Sequence, residues 1–178
     1  MDLVGLVVSL GVPVLAALFF FEGLVIGKIL QPPAIFVGYV TVVGPDWSTT
    51  LLIGLLCVLA ATGGQWTLFR GFNDESPEVV GIRRTIPYLE SLPERVRTAV
   101  SDRQLAFVQR QFDAYGATAI CLTNAVPVVR GVVPIVAGIN RYSVRRFLVA
   151  STAGNCLYVL ALFAAAWGVS GVASVFGV

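Results

Sequence analysis

Long apolar runs alternate along this chain with runs that are apolar but interrupted by proline, glycine and amide side chains. Residues 3–21, 51–69 and 147–168 are of the first kind and carry no charged residue. At a rise of about 1.5 Å per residue, each run reaches or nearly reaches across the roughly 30 Å hydrocarbon core of a bilayer. The pattern predicts three membrane-crossing helices, the first open to a kink at Gly11 and Pro13. Trp66 and Trp167 fall near run ends, where aromatic side chains settle at the membrane–water boundary.

The interrupted runs are residues 23–45 and 117–140. Pro32 and Pro33 are adjacent in the first, while Pro127 and Pro134 bracket Arg130 and Gly131 in the second. Proline removes a backbone donor and breaks a helix. Irregular backbone is tolerated at membrane depth only when it is buried in protein or lines a cavity. Arginines flank the second run on both sides, Arg103 and Arg110 before it and Arg141, Arg145 and Arg146 after it. A full crossing would strand one basic cluster outside, against the positive-inside rule. Two full crossings need about 40 residues, more than this run holds. A re-entrant helical hairpin satisfies both constraints. The first run lacks flanking Lys or Arg, and its likeness to the second predicts another hairpin, entering from the opposite face. Gly38, Gly131 and Gly138 are expected to allow turns or close packing.

Each predicted hairpin is followed by a crossing helix, so the chain reads as two inverted halves. Interrupted segments at matching places in two halves point to a transport site near the midplane. Between the halves lies the one water-like stretch. Residues 70–90 read as a loop with Asn73, Pro77 and Pro87 as breakers. Ser91, Pro93 and Glu94 have the form of a capped helix start. That helix is predicted to run to about Tyr115 and to stop at Gly116. Val96, Val100, Phe107, Val108 and Phe112 share one side of it, as in an amphipathic helix on the cytoplasmic membrane surface. The expected fold is thus an all-α integral membrane protein, one domain over 1–178. It comprises about three transmembrane helices, two re-entrant hairpins as an inverted repeat, and a cytoplasmic segment over 70–115.

Composition supports membrane residence and removes several function classes. The chain is 57% hydrophobic and 12% charged, against about 25% charged in soluble domains. A soluble protein of 178 residues could not hide so much apolar surface. Arginines and acids nearly cancel over 70–110, and no basic patch interleaved with aromatics suggests nucleic-acid binding. There is no histidine, which removes the commonest general base and metal ligand. Cys57, Cys121 and Cys156 sit in apolar runs and read as small buried hydrophobes. The N-terminal run lacks a basic n-region and is long for a signal core, so it reads as a retained membrane segment. No phosphate loop, nucleophile elbow or metal-ligand cluster is present. No enzyme activity, cofactor or metal is expected.

Ionisable groups in apolar segments are the functional candidates, because each is costly there. Glu22 ends the first predicted span, Arg130 lies mid-way through the second hairpin, and Lys28 falls in the first. Arginine keeps its charge and grips phosphate or carboxylate with two parallel donors. A buried glutamate can take up and release a proton. If the hairpins meet at the midplane, Arg130 could hold an anionic head group while Glu22 competes for it. A purely structural ion pair is the alternative. Lys28 is the weaker candidate and could snorkel to an interface. Asn124, Gln31, Gln65 and Asn155 are amides in apolar runs. Each can satisfy backbone groups freed by helix breaks or touch substrate directly.

At these residues the chain resembles the DedA family, the bacterial and archaeal branch of the VTT-domain membrane proteins. Phe21, Glu22 and Gly23, leading through Pro32 and Pro33 to Gly38, are similar to the family's glutamate-glycine entry into a proline-containing hairpin. Gly63, Gly64 and Gln65 resemble its glycine-rich span end. Tyr115 and Gly116 match its aromatic-glycine pair. The stretch from Asn124 through Pro127 to Arg130 resembles its R-F-x-P-x-x-R form. Ala137 and Gly138, then Arg145, Arg146 and Phe147, complete the order. The resemblance covers roughly residues 20–168. Asn124 stands where the family usually has the first arginine, and Gln31 or its neighbours where many members carry a second acid.

The resemblance implies a protein of the inner or plasma membrane that moves a phosphate-bearing lipid between leaflets. Isoprenoid phosphates and phospholipids are the candidate partners, and self-association is left open. Two other classes stay in view. One is a proton- or cation-coupled transporter for a small solute. The other is a non-transporting scaffold acting through 70–115.

Overall fold

A computed structural model describes residues 3–24, 31–73, 110–111, 114–126 and 129–176, with side chains over the part from Gly11 to Gly168. Of the loop and helix expected over 70–115, residues 74–109 and 112–113 lie outside the described residues, as do Lys28 and Pro127, and residues 70–72, expected as loop, continue a helix. Among the described residues the helices with defined bounds are, in order, α1 (Leu3–Gly23), α2 (Pro32–Val43), α3 (Trp47–Phe72), α4 (Ala117–Asn124), α5 (Val133–Ile139) and α6 (Val144–Phe176). No strand occurs among the described residues.

The helix ends follow from local chemistry. Pro32 and Pro33 open α2, at first-turn positions where a missing N–H costs nothing. Gly44 closes it with φ 55°, donating its N–H to the Val40 carbonyl, the left-handed cap that glycine adopts without strain. Asp46 caps α3 by accepting from the Ser48 and Thr49 amides. Pro134 sits in the first turn of α5. The prolines of the first interrupted run therefore start a helix rather than break one, and α2 continues unbroken through Gly38. Of the first expected hairpin, 23–45, residues 25–30 lie outside the described residues and 32–43 form α2. Within the second expected hairpin, 117–140, the described residues form α4, turns and bends at 125–126 and 129–132, and α5.

Two helices are long and apolar enough to cross a membrane, α3 and the Val144–Gly168 part of α6. They run antiparallel. Trp47 at the start of α3 stacks on Trp167 of α6 at 5.6 Å, and Phe69 near its end stacks on Phe147 at 4.3 Å. Their 26 and 25 residues span on the order of 38 Å. The third expected crossing, 3–21, lies in the 21-residue helix α1. The part of α1 with described side chains, Gly11–Gly23, is a shorter apolar helix, as is α2.

Packing reveals an internal two-fold pattern. Helix α1 packs on α3, and α4 packs on α6. Helix α2 packs on α6, and α5 packs on α3. Within each half α1 touches α2 and α4 touches α5, while α3 and α6 pack on each other. Exchanging the first three helices for the last three returns the same set. The sequence carries a trace of this exchange. Ala61-Thr62-Gly63-Gly64-Gln65 in α3 matches Ser151-Thr152-Ala153-Gly154-Asn155 in α6. Ala61, Gly64, Gln65 and Phe69 are buried, as are Ser151, Gly154, Asn155 and Val159 at the matching positions.

Glycine lets the paired backbones approach. A Cβ on Gly64 would stand 2.1 Å from the Phe20 carbonyl oxygen, and one on Gly154 2.5 Å from that of Cys121. Gly138 performs the same service for α5 against α3, beside Phe69 and Phe72. Gly38, expected as a packing or turn residue, is exposed with nothing within 4 Å of where its Cβ would stand. Two apolar clusters result. One joins α1 and α2 to the start of α3 and the end of α6 through Leu15, Phe19, Phe36, Ile53 and Phe163. The other joins α4 and α5 to the opposite ends of α3 and α6 through Phe69, Ile120, Ile135 and Phe147.

Candidate functional site: a buried polar seam between the halves

Between the clusters runs a line of buried polar side chains: Glu22, Thr62, Gln65, Asn124, Arg130, Ser151 and Asn155. Thr62 lies ten residues before the end of α3, about 15 Å along the helix and close to half the depth of a bilayer core.

Arg130 and Glu22 meet at the centre. Glu22 comes from the last turn of α1, and Arg130 from the turns between α4 and α5. One terminal nitrogen of Arg130 donates to Glu22 Oε1 at 3.2 Å, with the residues 2% and 6% exposed. The other donates to Asn155 Oδ1 at 2.8 Å. The guanidinium lies 3.9 Å above the Tyr158 ring, a favourable site for a desolvated cation. The Tyr158 hydroxyl donates to Glu22 Oε1 at 3.1 Å. A carboxylate at a helix C-terminus opposes the helix dipole, and Arg130 offsets that repulsion. Arg130 Nε is buried and has no hydrogen-bond partner among the described residues.

Among the described residues of the break that presents Arg130, the Val126 carbonyl accepts from the Arg130 and Val129 amides, and the Val129 carbonyl accepts from Val132, partners of the kind irregular backbone inside a membrane protein requires.

From Asn155 the seam continues through neutral groups. Asn155 Nδ2 donates to Thr62 Oγ1 at 2.9 Å and to Gln65 Oε1 at 3.0 Å. Gln65 Nε2 donates to Asn124 Oδ1 at 3.0 Å. Asn124 Nδ2 donates to Ser151 Oγ at 2.9 Å, and Ser151 donates to Gln65 Oε1 at 3.1 Å. Gln65 and Asn155 occupy matching places in the two halves, so the repeat brings an amide from each half to the same seam. Buried amides are tolerable only when partnered in this way.

Of the residues expected to form a site, the structure brings together Glu22, Arg130 and Asn124, linked through Asn155 and Gln65. Gln31 caps α2 with φ 45°, is exposed and stands outside this network. Gly131 and Pro134 are buried beside Arg130 in the chain. Tyr158, Thr62 and Ser151 were not anticipated. Tyrosine, threonine and serine are unremarkable in an apolar run, and only their proximity to Arg130 or Gln65 gives them a role. The signal present was periodic. Ser151, Asn155 and Tyr158 fall at helical spacing on one face of α6.

A groove of about 600 Å³ is lined by Gln111, Tyr115, Ala119, Leu122, Thr123, Val126 and Val129. Its walls are largely apolar, and Thr123 and Val129 precede Asn124 and Arg130 directly in the chain.

The family model of the VTT domain matches residues 4–167, and the chain belongs to that family. No significant match was found among curated proteins or among solved structures.

Proposed function

We propose that the protein translocates a phosphate-bearing lipid between leaflets, as a flippase or scramblase. The observation that carries this reading is the buried Glu22–Arg130 pair where the two halves meet. A bilayer-buried charge pair held at the junction of two repeats fits a site that opens alternately to each face. In this mechanism Arg130 takes the head group's phosphate with its guanidinium fork. Glu22 stands in for that anion when the site is empty and must release Arg130 for the lipid to bind. Asn155 and Tyr158 hold the guanidinium while Glu22 is away. The apolar groove along α4 gives the lipid tails a path that stays in hydrocarbon.

For orientation we propose, on the positive-inside rule, that the face carrying Arg70 in the last turn of α3 and Arg141, Arg145 and Arg146 about the start of α6 is the cytoplasmic one, in a plasma or inner membrane. In this reading the segments 23–45 and 117–140 are re-entrant hairpins entering from opposite faces. A small-solute transporter coupled to protons is the second reading, favoured by the buried carboxylate of Glu22.

Transbilayer movement of tail-labelled phospholipid in proteoliposomes separates the two. Lipid flux above protein-free vesicles, lost in Arg130→Ala, supports translocation. Absence of flux for every phosphate-bearing lipid tried defeats it and leaves the solute reading.

A further inference from the structure

Arg130, Asn155 and Tyr158, all from the second half, are arranged around one point in the seam. Asn155 Nδ2 donates to Thr62 Oγ1 at 2.9 Å and to Gln65 Oε1 at 3.0 Å. That fixes the amide with its oxygen towards Arg130, from which it accepts at 2.8 Å. Tyr158 follows Asn155 by three residues and so shares its face of α6. Its ring lies 3.9 Å from the guanidinium carbon. With the cation held by amide and ring, its other terminal nitrogen donates to Glu22 Oε1 at 3.2 Å. The Tyr158 hydroxyl donates to that same oxygen at 3.1 Å. Two donors from one half thus converge on a single oxygen atom supplied by the other, and Tyr158 is 2% exposed, so packing holds its hydroxyl there.

Resting on the proposed lipid translocation, we infer that the Tyr158 hydroxyl is a direct ligand of the substrate's phosphate, donating to the same oxygen as Arg130 once Glu22 withdraws. A phosphate oxygen placed where Glu22 Oε1 stands inherits both donors without any movement of α6. Tyr158 is then a binding residue through its hydroxyl, beyond the support its ring gives the cation. A hydrogen bond to a charged acceptor is roughly twice as strong as one between neutral groups, and burial strengthens it further.

In the unaltered chain the hydroxyl serves carboxylate and phosphate in turn, so removing it weakens both and the effects offset each other. The test therefore uses Glu22→Gln, which leaves a neutral, weaker acceptor beside Arg130. Full-length Glu22→Gln is compared in detergent with the double variant Glu22→Gln, Tyr158→Phe, which keeps the ring and loses the hydroxyl. The probe is dihexanoyl phosphatidylglycerol, and dihexanoylglycerol, which lacks the phosphate, controls for the tails. A ligand of the folded state raises the thermal midpoint as its concentration rises. The expected result is that the probe stabilises Glu22→Gln, and that loss of the hydroxyl raises the probe concentration needed for the same gain by about tenfold. A merely structural tyrosine would lower the midpoint without probe and leave that concentration unchanged. This outcome overturns the inference and leaves the phosphate site at Arg130 standing. No stabilisation of Glu22→Gln beyond the control overturns both the inference and the translocation reading it rests on. Both proteins are purified with the probe present from extraction onward, so that an anion accompanies Arg130. Failure to recover either protein even so would mean that no phosphate takes the place of the carboxylate, and overturns the inference.

Discussion

The two halves of this molecule share a packing plan and differ in what fills it. The α1–α2 half is aromatic. Phe19, Phe36 and Phe163 pack edge to face, and stacking continues through Trp167 to Trp47 at the membrane end of α3. The α4–α5 half itself contributes aliphatic side chains, Val132, Val133, Ile135 and Val136, with Phe69, Phe72 and Phe147 of α3 and α6 packed against them, and it supplies Arg130 and Asn124 to the seam. One half thus contributes rings of its own, while the other borrows its rings from the long helices and gives its own residues to the cation and to the groove.

The largest expected effect comes from breaking the charge pair that joins the halves. Arg130→Ala removes the guanidinium that pairs with buried Glu22, and should destabilise the protein by about 3–5 kcal/mol. Thermal unfolding in detergent would show it as a large drop in midpoint. Next is the close approach within the aromatic half. Gly64→Ala drives a Cβ into the Phe20 carbonyl and should cost about 1–3 kcal/mol. Gly38→Ala, with open space around it, should be neutral or stabilising by up to about 1 kcal/mol through helix propensity. If the two alanine variants unfold alike, the glycine-mediated contact between α1 and α3 is not what sets that distance.

A comparable loss is expected at the amide hub. Gln65→Leu strands the Asn124 oxygen and removes the acceptor shared by Ser151 and Asn155, and should cost about 1–3 kcal/mol. Unchanged stability would mean that water replaces the amide. The smallest effect lies outside the seam. The Asp46 carboxyl is lowered to about 2 by hydrogen bonds from the Ser48 and Thr49 hydroxyls and amides. A depressed pKa contributes stability above the ordinary carboxylate range and loses it as pH falls through about 2. Asp46→Asn should flatten that acid loss in an unfolding titration. A titration identical to that of the unaltered protein would remove the cap from the account.

Much of this was legible in the sequence, and the limits are physical. Uncharged runs of about 20 residues are long enough to read as membrane helices, and α3 and α6 lie close to where 51–69 and 147–168 place them. A lone Glu and a lone Arg in apolar segments identify themselves by their cost, and Glu22 does meet Arg130. Proline was the ambiguous sign. The same residue ends one helix and begins the next, and Pro32 and Pro33 begin α2. Gly38 and Gly64 look alike in sequence, yet only the second touches another backbone. Gln31 and Gln65 are both amides in apolar runs, and partner geometry alone separates an exposed cap from a buried hub.

The central claim is that the Glu22–Arg130 pair serves transport and not merely cohesion. Replacing both charges with methionine removes the function of the pair while leaving no buried charge, so the fold should survive at near-native stability. Transbilayer lipid movement by the Glu22→Met, Arg130→Met double variant is therefore the direct measurement. The account predicts a folded protein, with a thermal midpoint near that of the unaltered chain, that moves no more lipid than protein-free vesicles. A double variant that transports lipid at the unaltered rate would contradict it and leave the pair a structural clasp.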